Sequence, residues 1–285
     1  MPNAELHETV ELSNGNDDAE SIALWVEKAI AAAPNKERLR LRLDSIRDDE
    51  EMVRFAHRFV LFNDALAARV PFLAGVIHLT PGLFLDPEAQ EDFCRQANGR
   101  IAAFVAAAAN DEYLITETQN MVHQHLSQQF FRGILDHYGA SEPTFNREHP
   151  LPANLAALLD EARGKFFEQR SAEEIFAALG FHVGLEFFAD QEFTLVDRWL
   201  RERHPELVRS LEAGGKSRSA YRWLAIHTVV EITHYRAGLE ALKSALAYYH
   251  RTEDAPRMLE CIKHGFSQFA DLQSRYYEAI LCDAA

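Results

Sequence analysis

Apolar residues recur every three and four positions along nearly the whole chain, the pattern of amphipathic helices. After Asp17 and Asp18, residues Ile22, Leu24, Trp25 and Ile30 mark a first helix. Its acidic start suits the positive end of a helix dipole. Met52, Phe55, Phe59, Val60, Phe62 and Leu66 define a second over about 48–68, which Pro71 separates from an apolar stretch at 72–79. The spacing then predicts helices over about 87–109, 112–138, 155–167, 172–203, 220–250 and 255–281. Asn98-Gly99 reads as a weak point inside one of them, Gly139 as a C-cap, 140–152 as a proline-containing loop and Gly214-Gly215 as a turn. Alternating strand patterns are scarce, no Asn-Gly or Asp-Gly turn joins two apolar runs, and no repeat is visible. The expectation is one all-α domain over 17–285, with 1–16 as a frayed N-terminus.

Charge narrows the partners. Acidic residues outnumber basic ones 44 to 29, for a net charge of −15. Nucleic acid and anionic membrane surfaces both call for a basic face, so neither is expected as the main partner. A small-molecule substrate and a homodimer remain compatible. The first residues carry no signal-peptide pattern, and no run of apolar residues long enough to span a bilayer is expected. The three cysteines, Cys94, Cys261 and Cys282, are too scattered for a metal knuckle or a disulfide framework, which points to a reducing cytoplasm.

The candidate chemistry lies in the segment around 220–247. His227, Glu231 and His234 stand at i, i+4 and i+7, which places them in one stripe on one helix face. Leu224, Ile226, Val229, Val230 and Ile232 surround them, so much of the helix should be buried. Buried ionisable groups must be paired, and two readings do that. One is a hydrogen-bonded polar seam between helices. The other is a divalent metal, for which neutral imidazole and carboxylate are ordinary ligands.

A single helix cannot surround an ion, so other helices must contribute. Glu186 lies among Leu185, Phe187 and Phe188, and Glu192 follows six residues on. Earlier, Glu117, His123 and His125 are available, with His123 on the same side as Phe130, Ile134 and His137. Aromatic residues near these groups (Phe187, Phe188, Phe193, Trp199, Tyr221, Trp223 and Tyr235) could wall a dry pocket, or simply pack.

The run His227-x-x-x-Glu231-x-x-His234 resembles the third-helix motif of the haem-oxygenase-like diiron oxidases and oxygenases. Glu117 with His123, followed in chain order by Glu186, is similar to that family's first two elements. The resemblance implies a haem-oxygenase-like helical bundle and a metal site of Glu117, His123, Glu186, His227, Glu231 and His234. His125 and Glu192 are alternatives to His123 and Glu186. It further implies two Fe(II) per chain, O2 as co-substrate, and oxidation of a small, amino-acid-derived molecule in a biosynthetic pathway. N-oxygenation, oxidative cleavage and desaturation all fall within it. Other readings are a non-catalytic helical binding module with a polar core, or a haem-oxygenase-like or thiaminase-like enzyme without a diiron site. No Walker loop, GxGxxG, GxSxG or HExxH is present.

Overall fold

The computed structural model describes residues 15–67, 69–89, 96–112, 115–116, 119–120, 123–164, 171–213 and 219–282. The helices run α1 Gly15–Ala32, α2 Asn35–Asp44, α3 Asp49–Ala67, α4 Arg69–His78, α5 Asn98–Glu112 and α6 His123–His137. They continue with α7 Glu142–Glu148, α8 Ala153–Gly164, α9 Ala172–Arg203, α10 Pro205–Glu212, α11 Arg222–Tyr248 and α12 Ala255–Ala279. The expected all-α class holds, with one small addition. β1 Ile115–Thr116 pairs antiparallel with β2 Gln119–Asn120, within the span expected to be helical from 112.

The longest helix, α9, forms the centre and packs mainly against α12 and α11. A capping box opens it. Ser171 Oγ accepts from Glu174 N–H at 3.2 Å, and Glu174 accepts from Ser171 N–H at 2.9 Å. Its contact with α12 is unusually close. A Cβ on Gly180 would collide with the Ile262 carbonyl, and one on Gly265 with the Ala177 carbonyl. Two glycines on facing helices therefore let the backbones touch. On another side, Phe59 of α3, Phe193 of α9 and Trp223 of α11 meet edge to face, with centroids 5.1–5.7 Å apart.

Several boundaries move for identifiable reasons. Asn98 starts α5 instead of weakening it, since its buried amide donates to the Ile77 and Thr80 carbonyls at 2.7 and 2.6 Å. Pro71 lies in the first turn of α4, where a missing N–H costs nothing. The loop at 140–152 contains α7. The polar α2 was not foreseen. Its Asn35 side chain is buried against α12, donating to Ala270 O and Gln273 Oε1 at 2.8 and 2.9 Å. Gly139 does close α6, with φ 69°, Gly139 N–H bonding to Asp136 O and Ala140 N–H to Leu135 O. Gly214-Gly215 and Cys94 lie outside the described residues, while Cys261 and Cys282 are free thiols.

One expectation needs correction. Asp49–His78 spans 30 residues with an 18-residue window of mean hydropathy 1.5, long and apolar enough to cross a membrane by composition. Of that window, 59% is buried inside the fold, where Phe55, Phe59 and Phe62 of α3 are core residues.

Candidate metal centre

The expected stripe on α11 faces inward: His227, Glu231 and His234 are all buried. Burial does not extend round the helix. Val229 is 69% exposed and Ile232 39%, on a stretch of α11 that its neighbours α9, α5, α1 and α6 leave uncovered. Facing the stripe from α9 is Glu186, also buried. Ligand atoms of Glu186, Glu231 and His234 all lie within 4.8 Å of one another, so this triad could hold a metal ion.

The separations are informative. His234 Nδ1 is 3.5 Å from Glu186 Oε2 and 3.4 Å from Glu231 Oε2. His227 Nε2 is 3.7 Å from Glu231 Oε1. Charge-assisted hydrogen bonds between such groups close to about 2.7–2.9 Å. Two donors bound to one ion at about 2.1 Å, and set 90–109° apart, stand about 3.0–3.4 Å from each other. The observed spacings are nearer the edges of a coordination polyhedron than tight ion pairs.

Local bonding fixes the imidazole tautomer at His227. Its Nδ1–H donates to the Trp223 carbonyl at 2.7 Å, one turn back on α11. In the neutral ring, Nε2 then directs a lone pair at the Glu231 carboxylate, and two acceptors facing each other need a proton or a metal ion between them. Phe193 stacks on the same ring at 4.3 Å and holds it in place.

Electrostatics agree with a proton where a metal would go. Burial by itself lowers His234, but the Glu186 and Glu231 carboxylates on either side of it outweigh that and raise it well above the usual histidine range. Burial raises Glu231 against the opposing pull of His234 and His227. Among the described residues, the ion pairs of Glu186 and Glu231 are with histidines, not with lysine or arginine. Among the described residues, the carboxylate charge is thus answered by histidine protons, which a dication can displace.

The remaining expected residues divide. His123, at the start of α6, is buried with its ring centroid 5.0 Å from that of His227. Its Nε2 accepts from Trp223 Nε1–H at 3.2 Å. His125 is exposed and bonds to Gln129 at 2.8 Å. Glu117 lies outside the described residues. Beside His123 stands Asp64 of α3, with Oδ1 3.6 Å from Nε2 and accepting from Ser127 Oγ at 2.7 Å. Nothing local marks Asp64 in the sequence, for it meets His123 only when α3 packs on α6.

Glu192 is buried on the wall of the same cavity but is bound to α12, accepting from Gln273 Nε2 at 2.7 Å and from the Tyr277 hydroxyl. Burial pushes its carboxyl up to about 8, although the Asn63 and Gln273 hydrogen bonds oppose the shift. The cavity measures about 30 Å³ and is lined by Asn63, Leu66, Phe193 and Phe269 as well as by His123, Glu186, His227 and Glu231. Of the aromatic residues expected to wall it, only Phe193 does so. Trp223 contacts its histidines from behind, and Phe188 packs on Phe266 and Phe269.

His182 escaped the sequence reading. It sits one turn before Glu186 on α9, 1% exposed, with Nδ1 3.2 Å from Glu186 Oε1. A signal existed: His182-x-x-x-Glu186 repeats the spacing of His227-x-x-x-Glu231. Comparison with known protein families, with characterised proteins and with solved structures finds no significant match, so the reading of this centre rests on its own geometry.

Proposed function

We propose that the protein is a non-haem diiron oxidase or oxygenase that uses O2 to oxidise a small molecule. The observation that carries this reading is the convergence of Glu186, Glu231 and His234 at metal-ligand spacing in the buried centre. Glu231 presents one oxygen to His234 and the other to His227, which suits a carboxylate bridging two ions. Glu186 and His234 would hold the first ion. His227 would hold the second, with His123 beside it able to contribute once Nε2 gives up its bond from Trp223, and with Asp64 as a nearby carboxylate. The donors are imidazole and carboxylate without thiolate, a set that suits iron.

Bound iron supplies the redox chemistry with O2. The chain's own contribution is charge and exclusion. Glu186 and Glu231 offset the charge of the dications, while Leu66, Leu185, Phe193 and Phe269 keep bulk water from the centre. A cavity of about 30 Å³ admits ions and water-sized ligands, whereas drug- or cofactor-sized ligands occupy roughly 300 Å³ or more. That favours metal ions over a porphyrin at this place. An amino-acid-derived substrate is proposed from the family resemblance alone. The competing reading, a metal-free polar core, places protons between His234 and its two carboxylates and between His227 and Glu231.

Anaerobic titration with Fe(II) tests the proposal, with uptake approaching two ions per chain and O2 consumption on subsequent exposure. A panel of amino acids and fatty acids should identify a compound that accelerates that consumption. In Glu231→Ala, uptake should fall below one ion per chain, while the urea midpoint of the metal-free protein changes by no more than about 1 kcal/mol equivalent. Unchanged iron uptake with a loss of about 3–5 kcal/mol would show that Glu231 serves only a buried ion pair.

A further inference from the structure

We propose that Trp223 is a positioning residue that sets the order in which the centre fills, by presenting His227 to it and withholding His123. The proposal rests on the metal-centre reading above and adds to it the residue that governs the second position. Trp223 bonds to both imidazoles, in opposite senses. Its carbonyl accepts from His227 Nδ1–H at 2.7 Å, which leaves Nε2 of that ring directed at Glu231. Its indole Nε1–H donates to His123 Nε2 at 3.2 Å and so occupies the lone pair there. The neutral His123 ring then carries its own proton on Nδ1, and neither nitrogen offers a lone pair to an ion.

The indole is not placed to step aside. Trp223 is fully buried, with Phe193, Phe130 and Phe59 packed on it at centroid separations of 5.1, 5.4 and 5.7 Å. Its ring stands 5.6 Å from each of the two histidine rings. Release must come from His123, the first residue of α6, since the end of a helix yields more readily than its middle. Asp64 Oδ1, 3.6 Å from the same His123 nitrogen, offers an acceptor to the N–H left behind, so the indole need not remain buried without a partner. The two positions differ accordingly. At the first, ligand atoms of Glu186, Glu231 and His234 already lie within 4.8 Å of one another. At the second, an ion meets His227 ready and His123 engaged, and must break the indole bond to gain the second imidazole. The first position should fill before the second, and the indole should report the second event alone.

The test follows the indole N–H signals of the full chain, isotope-labelled at tryptophan, during titration with Zn(II), a diamagnetic probe that takes nitrogen and oxygen ligands. The chain has three tryptophans, so Trp25→Phe and Trp199→Phe identify two signals and leave the third to Trp223. That signal should hold still through the first equivalent and shift during the second. In Trp223→Phe, which keeps the carbonyl and lacks the N–H, affinity for the second Zn(II) should rise roughly two- to tenfold, the worth of one net hydrogen bond, with the first unchanged. Lost packing alone would not raise an affinity. A Trp223 signal that moves with the first equivalent, or stays still while two ions bind, overturns this proposal alone, whether or not the variant folds. So does a second affinity that is unchanged or weaker in a folded variant. A wild-type chain that takes up no ion, or only one, overturns the diiron reading and this proposal together.

Discussion

Helix α9 shows two different faces to its two main neighbours. Toward α12 it is dry and close, with Gly180 and Gly265 letting backbone meet backbone and Phe181 meeting Phe269 edge to face at 5.1 Å. Toward α11 it sets His182 and Glu186 against Glu231 and His234, a group of polar side chains at spacings too long for tight ion pairs. The first contact is built for cohesion and the second for something to be held in it. A protein that needed only stability would be expected to close the second face with apolar residues, since well-packed apolar groups often replace buried ion pairs at no cost or at a gain. Cohesion on one side supports the strained polarity on the other, because the same rigid helix carries both.

Substitutions should separate the two faces, and the largest effect is expected on the dry one. Gly265→Val pushes a branched side chain into the Ala177 carbonyl, where backbone cannot give way. A loss of more than about 4 kcal/mol in urea unfolding is expected, or no folded protein at all. A mild effect there would mean that the helices can part without consequence, and the contrast would fail. By comparison, the change at Glu231 should act on metal uptake with little change to the metal-free fold.

A histidine outside the centre sharpens the contrast through pH. His57 of α3 stacks on Phe131 at 4.8 Å and meets Phe145 at 5.3 Å, and burial, aided by nearby Arg58, lowers it from 6.5 to about 4. The folded state therefore disfavours the imidazolium. Its contribution to stability is complete above pH 6.5 and is lost as the pH falls toward 4. The slope approaches about 1.4 kcal/mol per pH unit below pH 6, so acidifying from pH 6.5 to 5 should cost about 1.6 kcal/mol. His57→Leu should flatten the urea-midpoint profile over that interval. An unchanged profile would move the acid sensitivity to the histidines of the centre.

The smallest effect is expected at the entrance of α9. Ser171→Ala removes the capping box, for a loss of about 1 kcal/mol by urea midpoint, with iron stoichiometry unaltered. A change in iron uptake there would show that the end of α9 and its polar face are not independent.

Much of this was legible along the chain because it is local. The limits of α9 follow from Ser171-x-x-Glu174 and an uninterrupted apolar pattern, and Gly139 ends α6 because a left-handed residue is needed there. His227, Glu231 and His234 stand out because three positions on one helix share a face whatever the rest of the chain does. The pairing of β1 with β2 was not legible, and neither was the start of α5 at Asn98, whose amide is bonded to carbonyls of the chain before it.

What stands opposite the stripe was decided by tertiary structure alone. Glu186 and Glu192 lie six residues apart on one helix. Only the docking of α9 between α11 and α12 turns the first toward His234 and binds the second to Gln273 and Tyr277. His123 and His125 are separated by a single residue, and the packing of α6 buries one and exposes the other. Asp64 and His123 are brought together across α3 and α6, a contact for which no spacing rule exists. The sequence by itself determined which side chains share a face, since helical geometry repeats every 3.6 residues. Only the fold decided which faces meet, because that depends on how the helices pack across long stretches of chain, down to two glycines close enough for their backbones to touch.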